Sequence, residues 1–122
     1  MSDKTALYCR VACADDDTMT RQEHSLRQYA EKSGYIDCEC YRDNGISGLS
    51  LDRPAMQNLI SDIKDKKVTT VIVLDLARVA RGFAPMEKWF KILKKHGILF
   101  VSVKDNYRFP DDDCLFGNVI AQ

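Results

Sequence analysis

The segment "TTVIVL", Thr69–Leu74, narrows the fold of this 122-residue chain more than any other stretch. It is rich in β-branched residues and almost wholly apolar, as is typical of a strand buried on both faces of a sheet. Such a strand needs cover on both sides, which helices packed against a parallel sheet provide. The chain is long enough for one domain of this kind and too short for two.

Strand and helix patterns alternate along the rest of the chain. Further strands are predicted at Thr5–Val11, Ile36–Tyr41 and 98–103. The capping box Thr20-x-x-Glu23 predicts a helix from Thr20 to about Ser33, Pro54 is a favourable first residue for a second helix, and a third is predicted at Pro85–His96. The order βαβαβαβ predicts a three-layer α/β/α domain with a mainly parallel sheet of four or five strands. Residues 114–122 have the pattern of a further helix.

Composition excludes several classes of protein. The 18 basic residues balance the 18 acidic ones, so there is no global positive field for non-specific nucleic-acid binding. No apolar run is long enough to span a membrane, and we expect a cytoplasmic protein. The five cysteines lack zinc-site spacing. We therefore expect reduced thiols and no metal, with Cys38 and Cys40 on one face of a strand.

Four arginines fall at or after predicted strand ends, whereas most lysines spread along helices. These are Arg10, Arg53, Arg78 and Arg81. Ligands of parallel α/β sheets bind outside the carboxyl ends of the strands, and the planar guanidinium suits bidentate contact with phosphate. The four arginines thus predict a clamp for phosphate oxygens. The alternative is that each one pairs with a nearby carboxylate, such as Asp43, Asp52 or Asp75.

Four segments, in this order and spacing, resemble the serine recombinases (resolvases and invertases), and the large serine recombinases most of all. The segments are "ALYCRV", "LRQYAEKSGY", "YRDNGISGLSLDRP" and "VIVLDLARVARG". The resemblance implies a resolvase-like catalytic domain of a site-specific recombinase that binds DNA at a crossover site as a homodimer and pairs into a tetramer. It also implies a serine that attacks the scissile phosphodiester to form a phosphoserine link, with neither metal nor ATP as cofactor.

The resemblance carries roles to particular positions of this chain. Arg10, Arg53, Arg78 and Arg81 match arginines that bind the phosphate and stabilise its transition state, and the matched supporting positions are Tyr8, Gln22, Asp43 and Ser47. The family's long interface helix would begin near residue 114. Residues 1–122 are therefore expected to be a catalytic domain truncated at that helix, monomeric or weakly dimeric, with weak or no DNA binding of its own.

The chain departs from the family at the nucleophile. Ala12 occupies the position after "CRV" where a serine is expected, and Ala77 replaces a polar residue before the arginine pair. Ala12 has no group that can attack phosphorus. Three explanations stay open: a deliberate substitution, a natural relative that has lost cleavage and kept a DNA-binding or regulatory role, or a register slip that makes Cys13 the nucleophile.

One alternative belongs to another class of protein. A phosphoacceptor receiver domain has a similar length, acidic residues after its first strand and an aspartate at the end of a buried strand. Here Asp15, Asp16 and Asp17 would hold Mg²⁺ and Asp75 would accept the phosphoryl group. This interpretation leaves the four arginines and the glycine-containing loop before Pro54 unexplained.

Overall fold

The computed structural model describes residues 4–110, which form a five-stranded sheet with helices on both faces. The strands are β1 (Lys4–Val11), β2 (Cys38–Asn44), β3 (Val68–Val73), β4 (Leu99–Ser102) and β5 (Tyr107–Phe109). The helices are α1 (Asp16–Lys32), α2 (Pro54–Lys64), the short α3 (Leu76–Val79) and α4 (Phe83–His96). The predicted helix at 114–122 lies outside the described residues.

The sheet has the order β2-β1-β3-β4-β5. The first four strands are parallel and β5 runs antiparallel to β4. The three-layer, mainly parallel architecture predicted from the alternating patterns is therefore confirmed. Among residues 4–110, no helix is both long and apolar enough to cross a lipid bilayer.

The strand that most constrained the fold is buried on both faces, as predicted. Val71 and Val73 of β3 pack with Met56 of α2 and Trp89 of α4 in one core cluster. Ile72, on the opposite face of β3, packs with the buried residues of α1 in a second cluster, which also contains Cys9 and is flanked by Cys38 and Cys40. Period-2 alternation in β3 thus joins two cores across one sheet.

Helix α1 begins four residues before the predicted capping box. Asp15 is the N-cap, and its Oδ1 accepts hydrogen bonds from the backbone N–H groups of Asp17 (3.1 Å) and Thr18 (3.2 Å). Asp16 and Asp17 add favourable negative charge in the first turn. The prediction of Thr20 as the helix start was wrong because this acidic cap lies upstream of the Thr-x-x-Glu pattern.

Strand β2 begins later and ends later than predicted. The turn after α1 extends the helix end, where the Tyr35 N–H binds the Ala30 carbonyl at 2.9 Å. Asp37 then adopts a positive φ of 56°, and Ile36, which the prediction placed in the strand, is 77% exposed. The strand therefore runs Cys38–Asn44 and reaches the glycine-containing loop.

Strand β5 was predicted as loop. Its three residues pair with β4, Phe109 opposite Phe100 and Tyr107 opposite Ser102. Phe90 of α4 packs edge-on against both Tyr107 and Phe109, with ring centroids 6.2 and 5.3 Å apart. Tertiary contacts of this kind stabilise a strand whose own sequence is too short to predict it.

In the sheet, β2 lies on one side of β1, and β3 to β5 lie on the other side. The connections after β1 and after β3 therefore lead to opposite sides, which leaves a crevice at the carboxyl ends of these two strands. Pairing of β1 with β3 ends at Tyr8 opposite Val73, whereas pairing with β2 continues to Val11 opposite Asn44. The last three residues of β1 thus project past β3 and leave one backbone edge free for other partners.

Candidate functional site at the carboxyl end of β1

Arg10 lies on this projecting end of β1 and is 3% exposed. Its guanidinium donates to three backbone carbonyls, from Nε to Arg78 (3.1 Å), from Nη1 to Ile46 (2.8 Å) and from Nη2 to Ala77 (2.8 Å). One side chain thus ties the end of β1 to the loop after β2 and to α3. Two of the five guanidinium N–H groups are left over from these contacts.

Gln22 of α1 takes the place of a neighbouring strand along this edge of β1. The Arg10 N–H donates to Gln22 Oε1 at 3.0 Å, and Gln22 Nε2 donates to the Arg10 carbonyl at 3.2 Å. The same carbonyl accepts from Arg78 Nη1 at 3.1 Å. The buried amide of Gln22 therefore satisfies backbone groups that β3 no longer reaches.

Arg53 is the most deeply buried of the four arginines, with 1% exposure. Nη1 donates to the Tyr8 hydroxyl (2.9 Å) and to the Arg78 carbonyl (3.2 Å), and Nη2 donates to the Val79 carbonyl. The guanidinium carbon lies 5.6 Å from the centroid of the Tyr8 ring, within cation–π range. Arg53 therefore holds α3 against the end of β1.

Tyr8 links Arg53 to the N-terminus of α2 through Asp43. The Tyr8 hydroxyl donates to Asp43 Oδ2 at 2.6 Å, and the same carboxylate accepts from the backbone N–H groups of Ala55 (2.9 Å) and Met56 (3.0 Å). Asp43 thus caps α2 from a neighbouring strand, because Arg53, at the N-cap position, makes no side-chain cap. Burial and the hydrogen bond to Asp43 raise the pKa of Tyr8 well above its ordinary value.

The four arginines are close enough to affect one another electrostatically. Burial is the largest cause that lowers the pKa of Arg10, and the charges of Arg53, Arg78 and Arg81 lower it further. Of the four, only Arg78 forms an ion pair within residues 4–110, with its Nε 3.5 Å from Asp75 Oδ1. The alternative of a separate carboxylate for each arginine was therefore wrong for the other three. Gathered positive charge of this kind favours an anion.

The loop between β2 and α2 closes over the end of β1. The Val11 carbonyl accepts from the N–H groups of Gly45 (2.8 Å) and Ile46 (3.0 Å), and the Gly48 carbonyl accepts from the Arg81 N–H at 2.8 Å. A Cβ at Gly48 would lie 2.9 Å from Arg10 Nη2 and 3.2 Å from Arg81 Cγ. Gly48 was not singled out from the sequence, although the glycine spacing in "GISG" was the available signal.

The three remaining predicted site residues lie at the exposed rim. Ala12 and Cys13 directly follow β1 and are exposed, as is Ser47 in the loop. Ser47 Oγ accepts from the Leu49 N–H at 3.2 Å, a local turn contact. One hydrogen-bond network contains Tyr8, Arg10, Gln22, Asp43, Arg53 and Arg78. Arg81 lies beside it, since its backbone N–H binds the Gly48 carbonyl in the loop whose Ile46 carbonyl accepts from Arg10.

The structure gives other roles to two of the predicted metal ligands, Asp15 and Asp16, and to the predicted phosphoacceptor Asp75. Asp15 caps α1, Asp16 accepts from Asn44 Nδ2 at 2.8 Å, and Asp75 pairs with Arg78. No group of three or more His, Cys, Asp or Glu side chains within residues 4–110 is placed to hold a metal ion. The receiver-domain interpretation thus lacks its acidic cluster in this region.

Comparison with protein families gives one match that spans most of the chain. Residues 5–121 match the model described as "Resolvase, N terminal domain". No curated protein sequence matches the chain significantly. The matched family is a different class of protein from receiver domains, so the receiver-domain interpretation is wrong.

Several solved structures share the fold over most of their length. The N-terminal catalytic domain of TP901-1 integrase is 31% identical, with a TM-score of 0.87, and the alignment covers 98% of this chain and 92% of that one. A resolvase family site-specific recombinase from Streptococcus pneumoniae is 26% identical, with a TM-score of 0.79 and coverage of 98% and 85%. The catalytic domain of ISC1926 TnpA, an IS607-like serine recombinase, is 25% identical, with a TM-score of 0.75 and coverage of 82% and 68%.

Proposed function

The chain belongs to the resolvase family as a serine recombinase catalytic domain, and we propose that the end of β1 is where it engages the scissile phosphodiester of DNA. The observation that supports this most is the gathering of Arg10, Arg53, Arg78 and Arg81, three of them without a carboxylate partner in the described part of the chain. Phosphorus under attack carries extra negative charge, which preorganised cations stabilise.

The arginines divide the work according to their burial. Arg10 and Arg53 are buried and bind carbonyls, so they position the elements around the site. Arg81 is exposed and Arg78 is half-buried, so their remaining N–H groups are available to bind phosphate oxygens. Arg10 contributes charge and its two spare N–H groups. Tyr8, Gln22 and Asp43 are positioning residues, and Ser47 is placed at the rim to contact the backbone of DNA.

The reaction of the family requires a hydroxyl at position 12. That oxygen would attack phosphorus, forming a serine–phosphate ester while the phosphorus–sugar oxygen bond breaks and the departing sugar oxygen takes up a proton. The reverse attack by a sugar hydroxyl would rejoin exchanged strands and restore the serine. Ala12 has only a methyl group there, so this chain binds and positions DNA without forming that ester.

Cys13 is an alternative nucleophile for this site. It is exposed and lies one residue further along, where the chain has left β1. A thiolate at this place would form a phosphorothiolate ester with the same leaving group. A relative of recombinases that has lost cleavage, with DNA binding retained, is the second candidate function, and the methyl side chain of Ala12 favours it.

DNA is the proposed partner, and a homodimer that pairs into a tetramer is the proposed active assembly. Because residues 1–122 are expected to bind DNA weakly or not at all, the test is trapping of a covalent protein–DNA adduct by the full-length protein, on the crossover site that it selects from a pool of random duplexes. Three chains are compared: the unchanged chain, Ala12→Ser and Cys13→Ala. We expect an adduct with Ala12→Ser only. An adduct with the unchanged chain that Cys13→Ala abolishes would assign Cys13, and no adduct with any chain would overturn the cleavage site.

A further inference from the structure

A second cluster of positive charge lies beside the arginine network, on the α1 side of the sheet. A cavity of about 240 Å³ is lined by the basic side chains of Arg21, Arg78 and Lys104. The hydroxyl residues Thr18 and Ser25 complete its polar wall. We propose that this cavity, hereafter the flanking pocket, binds a second DNA phosphate next to the scissile one. The inference rests on the proposed function and adds a contact to it.

The flanking pocket is built by one face of α1. Thr18, Arg21, Gln22 and Ser25 recur at helical spacing, so their side chains point the same way. The opposite wall comes from the carboxyl ends of β3 and β4. There the Lys104 N–H donates to the Leu74 carbonyl at 2.7 Å, which fixes the backbone that carries the ammonium group.

Among residues 4–110, no carboxylate forms an ion pair with Arg21 or Lys104 of the pocket. None of its lining residues is acidic. The two carboxylates that could weaken this positive charge, Asp15 and Asp105, make other contacts. Asp15 caps α1 and interacts with Arg21 only through space, while Asp105 Oδ2 accepts from the Leu76 N–H and the Ser102 hydroxyl. A cluster of cations with this surrounding is complementary to an anion.

Arg78 connects the pocket to the proposed cleavage site. Its Nη1 binds the Arg10 carbonyl, and the same side chain lines the pocket. Gln22 is shared as well, since its amide binds the Arg10 backbone. The two anion sites are thus separated by a single layer of side chains. A polymer with regularly repeated phosphates can occupy both, which a single phosphate ion cannot do.

The volume and chemistry suit a phosphodiester. The cavity has room for about eight waters, at about 30 Å³ each, and therefore for a phosphate group with part of its hydration shell. The forked guanidinium of Arg21 and the point charge of Lys104 approach from opposite walls. The Ser25 hydroxyl can donate to a further oxygen, whereas the Thr18 hydroxyl already donates to Asp15 Oδ2 at 2.7 Å and accepts from Arg21 Nη2 at 3.3 Å. Such contacts position the backbone and read no base.

The test compares two double variants that remove the same number of charges. Arg21→Gln with Lys104→Gln empties the pocket, whereas Lys88→Gln with Lys91→Gln removes two exposed lysines from α4. Binding to a random-sequence duplex of about 30 base pairs is measured by fluorescence anisotropy across a salt series. Chemical shifts of the ¹⁵N-labelled chain are followed with inorganic phosphate as a second probe.

We expect the pocket variant to bind the duplex about tenfold more weakly, with a salt-dependence slope reduced by about 1, and the α4 variant to keep the slope of the unchanged chain. An unchanged slope in the pocket variant would overturn the flanking pocket and leave the proposed function intact. Because residues 1–122 are expected to bind DNA weakly, the duplex is also added at high concentration to the ¹⁵N-labelled chain. Shifts at Arg21 and Lys104 with inorganic phosphate, but none with the duplex under these conditions, would show a phosphate site whose ligand is not DNA and would count against the proposed function. Neither response would overturn both.

Discussion

Arg10 and Arg78 bind each other's backbone reciprocally. Arg10 Nε donates to the Arg78 carbonyl at 3.1 Å, and Arg78 Nη1 donates to the Arg10 carbonyl at 3.1 Å, although the two residues lie 68 positions apart in the chain. This pair locks α3 to the projecting end of β1. The direction of the Arg78 side chain therefore depends on this backbone contact as well as on its ion pair with Asp75.

Replacement of Arg10 by lysine should destabilise the protein by about 2–4 kcal/mol. Lysine cannot reproduce three guanidinium contacts in fixed directions, so the buried Arg10 side chain loses its bonds to the partly buried carbonyls of Ile46 and Ala77. Urea unfolding measures the loss. The matched control is Arg27→Lys, because Arg27 pairs with Glu23 on an exposed face. This substitution should lower the free energy of unfolding by less than about 1 kcal/mol. Equal losses would contradict a structural role for Arg10.

Tyr8→Phe should change how stability depends on alkaline pH. The pKa of Tyr8 is raised in the folded state, so its contribution is complete below the unfolded-state pKa of about 10 and declines above it as the unfolded chain ionises. Tyr8→Phe should lower the free energy of unfolding by about 1–3 kcal/mol at neutral pH. Above about pH 10, the free energy of unfolding of the variant should fall less steeply with pH than that of the unchanged chain, by about 1.4 kcal/mol per pH unit.

Tyr41→Phe is the comparison for that experiment. Its hydroxyl binds Asp62 at 2.5 Å, and burial and Asp62 also raise the pKa of Tyr41. We expect Tyr41→Phe to change the pH dependence of the free energy of unfolding by a similar amount. Its loss of unfolding free energy at neutral pH should be smaller than that of Tyr8→Phe, because Asp62 is only half-buried and is hydrated when unpaired. An alkaline slope of Tyr8→Phe equal to that of the unchanged chain would refute the buried Tyr8–Asp43 contact.

Gly48→Ala should cost about 1–3 kcal/mol through a clash with Arg10. A double-mutant cycle with Arg10→Met tests the cause, since removal of the guanidinium should recover at least about 0.5 kcal/mol of the loss. Gly34→Ala is the control. Gly34 has a φ of +83° and nothing within 4 Å of an added Cβ, so its cost is conformational and independent of Arg10. If Gly48→Ala destabilises the protein by the same amount with and without Arg10→Met, the clash with Arg10 is excluded.

Thiol labelling should distinguish the exposed Cys13 from the buried Cys9. Cys9 is 0% exposed, and both its contact with Cys40, with the sulfurs 3.9 Å apart, and its burial raise its pKa. Brief iodoacetamide treatment of the native chain, followed by peptide mapping, should label Cys13 and spare Cys9. Preferential modification of Cys9 would show that β1 opens easily and is not a rigid support for the site.

Sequence patterns predicted the layers of the fold better than the contacts at the end of β1. Periodicity identified β3 and the start of α2 at Pro54, because burial on both faces and proline chemistry leave direct marks in the sequence. The start of α1 was missed because Asp15 competes with the later capping box. Burial of Arg53 could not be predicted, since two of its three acceptors are backbone carbonyls, which every residue has.

The central claim is that the arginines at the end of β1 surround a phosphodiester that position 12 attacks. The most direct measurement is the yield of covalent DNA adduct from Ala12→Ser alone, combined with Arg81→Gln, and combined with Lys88→Gln as the charge-matched control. We expect Arg81→Gln to lower the yield by about a hundredfold or more, with unfolding stability unchanged because Arg81 is exposed, and the Lys88 control to retain it. Equal adduct yields in all three chains would contradict the claim.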